Sequence, residues 1–168
     1  MGPFEAVWQW YEYARDSMDF AASEAASTAR EIPPSLALAR HATAEEAFEN
    51  LAKAQSDLDD LTVLALFAIF EQALLDHLLQ TSQRVQQGIA SRLQGALADK
   101  AFRGLDRWPL GEILDVYKVA IDPTLVGLVK QVKDYRDWVA HGKRDAPAAR
   151  IGPKAAHERL DSFLSALP

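Results

Sequence analysis

Between Leu61 and Leu79 only Thr62, Glu71, Gln72, Asp76 and His77 interrupt an otherwise apolar sequence. The stretch is apolar nearly all round when wound as a helix, which marks a buried central helix rather than a surface one. Such a helix needs neighbours on several sides, so the rest of the chain must supply helices to surround it. Composition agrees. The 168 residues include 29 Ala and 21 Leu, against only 20 Val, Ile and Thr together. Ala and Leu favour helices, and β-branched residues favour strands. The expected fold is all-α, an antiparallel bundle of six or seven helices in one domain.

The remaining helices follow from periodicity and stop signals. Phe4, Val7, Trp8, Tyr11, Ala14, Met18, Ala22 and Ala25 keep three- and four-residue steps over residues 4 to about 30, and Pro33-Pro34 ends that helix. Leu36 to His41 reads as helix or loop. Thr43 and Glu46 have capping-box spacing. Ser56-Asp57 either breaks the next helix or is passed straight through. Shorter helices are expected over residues 89–102, 110–119 and 153–164. Asp122-Pro123 starts another, with an acid at the N-cap and proline at N1. It runs to about His141, where Gly142 suits the first position past a helix end. Residues 58–165 form the expected core bundle and residues 1–55 an N-terminal helical extension. Trp8 and Tyr11 suit the core, leaving Trp10 and Tyr13 as interface candidates.

Several function classes are excluded. Without cysteine there is no disulfide framework and no thiolate metal site. The four histidines form no His-x3-His or His-Glu-x-x-His pair, so zinc is not expected. Phosphate-binding glycine loops and a G-x-S-x-G elbow are missing. The strongly apolar run Leu61–Phe70 is short for a bilayer span and the first residues lack a signal-peptide pattern, so a cytoplasmic protein is expected. Charge is uneven: residues 1–76 hold 4 bases and 14 acids, a net of −10, whereas residues 130–159 hold 8 bases and 4 acids, a net of +4. The basic stretch is either a solvated face or a local receptor for a polyanion.

The helix from Pro123 holds an anomaly. Leu125, Leu128, Val129, Val132, Tyr135 and Val139 define its apolar stripe, and Arg136 lies on that stripe four residues after Val132. An inward arginine needs a carboxylate partner, an edge to reach, or an anion-binding cleft. Glu71, set within the apolar helix, is the candidate partner. His141 follows five residues after Arg136, about 140° away around an ideal helix. It either caps the helix end, pairs with Asp137, or shares a site with Arg136.

Tyr135-Arg136-Asp137-Trp138-Val139-Ala140-His141-Gly142 resembles the signature of the HEPN superfamily: an arginine followed by a polar residue, then a histidine four to six residues on, near a helix end. The apolar segment Leu66–Glu71 with its embedded acid resembles a helix common in stand-alone members, and the likeness covers roughly residues 58–165. The resemblance implies a cofactor-free, metal-independent endoribonuclease acting as a homodimer, in some members a toxin or defence effector with an antitoxin or regulatory partner. Other members are inactive binding or scaffold domains. One departure is Lys143, which stands where antitoxin-regulated members carry a tyrosine. In ribonuclease chemistry His141 exchanges protons with the 2′-OH or the leaving 5′-oxygen, and Arg136 stabilises the pentacoordinate phosphate. Asp137 is expected to orient His141, with Lys130, Lys133, Lys143 and Arg144 holding flanking phosphates. The 140° separation favours two copies meeting around the Arg136 helix. The alternative is a non-catalytic helical interaction module in which Arg136 pairs with Glu71 and His141 caps its helix.

Overall fold

A computed structural model describes residues 2–27, 44–88, 91–104, 107–144 and 149–168. Among these residues there are six helices and no strand: α1 (Glu5–Ser27), α2 (Ala44–Gln87), α3 (Arg92–Phe102), α4 (Leu110–Tyr117), α5 (Pro123–Ala140) and α6 (Pro153–Ser165). The all-α expectation holds. Pro33-Pro34, the segment Leu36–His41 and the Thr43 cap lie outside the described residues.

The organising element is α2, 44 residues in one piece. Ser56-Asp57 does not break it. Serine and aspartate each lower helix stability by only a few tenths of a kcal/mol, about 0.7 at most. Lateral contacts outweigh that here. Gln55 donates to Asp19 at 2.6 Å, and Tyr11 and Arg15 both donate to Asp59 at 2.9 Å. The order of these contacts makes α1 antiparallel to this half of α2. In length and apolar composition α2 also matches a membrane-crossing helix. In this fold other helices cover one face of it, while Leu61, Ala68 and Leu79 stay exposed.

Asp60, Val63, Phe67, Phe70 and Leu74 recur at three- and four-residue steps along α2 and are all buried. Onto this face pack α5 and α6, and α4 packs on α5. From α5 come Val126, Val129, Val132 and Tyr135, and from α6 come Ala156, Leu160 and Phe163. The α5 stripe therefore includes Val126, while Leu125 and Leu128 stay half-exposed. Phe163 meets Phe70 and Tyr117 edge-on, with ring centroids 5.4 and 5.8 Å away. Phe4 belongs to the same core, and its ring lies 5.6 Å from that of His157. Phe4, from the segment expected as an N-terminal extension, thus packs into this core.

Phe163 is fully buried between two aromatic rings. Replacing it with alanine leaves a cavity the rings cannot close, and Phe163→Ala should lower unfolding free energy by about 3–5 kcal/mol. Urea unfolding followed by circular dichroism measures this. A loss below about 1 kcal/mol would place Phe163 outside the cooperative core.

Candidate functional site

The site gathers where the last two turns of α5 lie beside the middle of α2. Asp122 starts α5 as expected, its carboxylate accepting from the Thr124 backbone N–H at 2.8 Å. The helix closes in a Schellman motif. The Gly142 N–H donates to Val139 O at 3.1 Å, and the Lys143 N–H donates to Trp138 O at 2.9 Å. Gly142 has φ +79°, and Lys143 follows in the left-handed region at φ +57°. A glycine takes that conformation freely, whereas a lysine there is strained unless held.

Lys143 is held. Its ammonium lies 2.9 Å from Asp57 Oδ1 and 2.6 Å from Asp60 Oδ2. Both carboxylates raise its pKa, with Asp60 the larger influence. Asp60 is buried, and its other oxygen accepts from Tyr135 OH at 2.5 Å. Burial, reinforced by Asp60, pushes the Tyr135 hydroxyl up to about 12. Tyr135 and Lys143 therefore fasten both sides of the Arg136–His141 segment to one carboxylate of α2. Asp60 lies on the same buried stripe as Val63 and Phe67, so the sequence held a signal for it: a carboxylate on an apolar face.

Arg136 meets its expected acid. Its Nη2 donates to Glu71 Oε2 at 3.1 Å, and Nη1 lies 2.9 Å from Asp137 Oδ1. The guanidinium carbon sits 4.5 Å above the Phe67 ring, a cation–π arrangement. The Arg136 side chain keeps a quarter of its surface exposed.

Other expectations are corrected. Asp137 does not orient the His141 ring. It pairs with Arg136 and accepts from Lys133 Nζ at 2.8 Å, because those cations lie one residue and one turn before it. Asp137 is the main cause of the raised Lys133 pKa. His141 is exposed, and its ring has no hydrogen bond among the described residues. Its backbone N–H caps α5 through Asp137 O at 3.0 Å.

Of the four cations expected to hold phosphates, three already face carboxylates. Lys143 has Asp57 and Asp60, Lys133 has Asp134 and Asp137, and Lys130 lies 2.8 Å from Asp115. Arg144 is exposed and has no ion pair among the described residues. The basic stretch read from sequence is thus largely neutralised by acids from α2, α4 and α5 itself. No group of three or more His, Asp or Glu side chains suited to a metal ion occurs among the described residues.

In comparisons with known proteins, no family model, curated protein or solved structure matches the chain.

Tyr135 makes the fold sensitive to high pH. Its folded pKa, about 12, lies above the ordinary value of 10.0, so the fold favours the protonated hydroxyl. Tyr117, pushed up to about 12 by burial, acts the same way. Their stabilisation is complete below pH 10 and is lost as pH rises toward 12. Thermal melts of the wild type should fall across that window. Tyr135→Phe and Tyr117→Phe should each flatten the fall, and an unchanged slope in both would exclude these hydroxyls as its source.

Proposed function

We propose that this protein is a metal-independent endoribonuclease of HEPN type, acting through Arg136 and His141. The carrying observation is how Arg136 is held. Arg136 and Glu71 form a part-buried ion pair, with about a quarter and somewhat over a third of their side-chain surfaces accessible. The Phe67 contact adds about 0.5–1 kcal/mol. A guanidinium oriented by two carboxylates and an aromatic ring still keeps a quarter of its surface accessible. It is well set to meet an anion.

In this reading RNA supplies its own nucleophile. The 2′-oxygen bonds to phosphorus and the P–O5′ bond breaks, leaving a 2′,3′-cyclic phosphate and a 5′-hydroxyl. Arg136 stabilises the extra negative charge of the pentacoordinate phosphorus through its planar fork. His141, free of side-chain partners among the described residues, takes or gives a proton. Glu71 orients Arg136. Arg144 is the remaining candidate for a flanking phosphate. A homodimer, a regulatory protein partner and a cytoplasmic location are part of the same proposal.

A second reading has its own observation: Arg136 already has acidic partners, as a non-catalytic interaction module requires. Four variants separate the two. His141→Ala should cut cleavage about 10²–10⁴-fold, and Arg136→Ala about 10²–10³-fold. Arg136→Lys should fail as well, lacking the fork. The double variant should be little worse than the weaker single, since both groups serve one transition state. The readout is cleavage of total RNA with chelator present, alongside thermal melts. Full activity in His141→Ala, or no cleavage by the wild type, favours the interaction module.

A further inference from the structure

Helix α3 is thinly packed. Its main neighbour is α2. Gly95, Ala98 and Phe102 form its inner side and are only half-buried, and no described residue of α3 is fully buried. A helix of 11 residues depends on packing, since isolated helices shorter than about 12–15 residues are marginal in water. The inner side supplies little of it, so further contacts have to come from the outer side.

That outer side is apolar and basic together. Leu93, Leu97 and Lys100 fall within about 60° of one another around the helix, opposite Gly95, Ala98 and Phe102. Leu93 is 71% and Leu97 60% accessible. Cations stand at both ends of the leucine pair. Arg92 is the first residue of α3, Lys100 is in its last turn and Arg103 is its C-cap residue. The Arg107 backbone N–H donates to Gly104 O at 2.9 Å, which keeps Arg107 beside that end. Arg84 lies in the last turn of α2. All five cations are exposed, and none has an ion pair among the described residues. Residues 84–107 hold five bases and two acids, a net of +3 in a chain of net −6. The one acid on α3, Asp99, lies about 120° or more from each leucine.

The chemistry of this face narrows what can cover it. RNA meets the cations but leaves the leucines wet, because a leucine has no flat ring on which a base can stack. The interface of an anionic bilayer takes both. Aliphatic side chains enter the acyl boundary while arginine and lysine heads stay with the phosphates. The chain as a whole is acidic and repelled by such a surface, so attraction is confined to the α3 end, within the screening distance of about 8–10 Å. We propose that α3 lies flat on an anionic lipid bilayer, with Leu93 and Leu97 in the interface and Arg92, Lys100 and Arg103 on the headgroup phosphates. Arg92 and Lys100 are about 12 Å apart along the helix, so they anchor it at both ends. The docking is peripheral, and α2 stays within the bundle. Two leucines and a few cations make a reversible anchor that strengthens as anionic lipid becomes denser. The proposal goes beyond the ribonuclease reading and does not depend on it. It agrees with a cytoplasmic location, since the cytoplasmic leaflet is the anionic one.

Flotation of the full chain with lipid vesicles tests this. One set of vesicles holds equal parts of phosphatidylglycerol and phosphatidylcholine, the other phosphatidylcholine alone. The wild type should float with the first and not with the second, and added salt should release it. Leu93→Gln with Leu97→Gln and, separately, Arg92→Gln with Lys100→Gln should each weaken binding about tenfold or more. Glutamine favours helices about as well as the residues it replaces, and all four positions are exposed, so circular dichroism should show both variants folded. Trp10→Gln with Tyr13→Gln, on α1, should bind as the wild type does. The proposal is overturned if the wild type ignores anionic vesicles, if it floats equally with phosphatidylcholine alone, or if the leucine variant binds as tightly as the wild type. A loss confined to the α1 variant also overturns it. So does a wild type that takes up a single-stranded RNA probe but no vesicles, with Arg92→Gln and Lys100→Gln abolishing RNA binding, which assigns the face to nucleic acid.

Discussion

A 44-residue helix whose middle is apolar on nearly every side can exist in this fold only if other helices cover it. Val63, Leu66, Phe67, Phe70 and Leu74 are fully buried, each worth about 1.5–3 kcal/mol relative to exposure. No single neighbour reaches all of them. Phe4 and the helices α5 and α6 share the task, while α1 lies along the more polar N-terminal half. Burial of one face at the centre and polar contacts toward the N-terminal end follow from one sequence gradient along α2.

The same helix decides the electrostatics. Asp57, Asp60 and Glu71 come from α2, and each meets a cation from the α5 end. Asp60 is the most constrained, since a buried carboxylate left unpaired would be costly. Its two oxygens take Tyr135 and Lys143, which flank the Arg136–His141 segment. Lys143 accepts a left-handed backbone conformation in the process. The turn after α5 is therefore positioned from both sides, and His141 projects from a fastened end. Among the described residues the cations around α3 have no such acids opposite them. Positive charge open to a partner accordingly lies around α3 as well as on Arg144, rather than along the basic stretch of α5.

Helix identities were legible because periodicity, proline and glycine act locally. Asp122-Pro123 started α5 and Gly142 ended it. The Arg136–Glu71 pair was legible too, because each residue interrupts an apolar stripe and only an opposite charge removes that cost. Asp60 carried the same signal. What stayed out of reach was the partner of each ordinary surface charge. Lys130, Lys133 and Lys143 look alike in sequence, yet they face Asp115, Asp137 and Asp60 respectively.

The sequence by itself determined the all-α class, the central helix and the placement of a charged arginine on a buried stripe. Those properties follow from side-chain pattern over a few turns, which depends on neighbours within about four residues. Only the tertiary structure decided that α2 passes unbroken through Ser56-Asp57, since contacts from α1 outweigh a small propensity cost. It alone matched Lys143 to Asp57 across 86 residues of chain. Such pairing depends on which helix faces arrive within about 4 Å, a distance that no local pattern encodes.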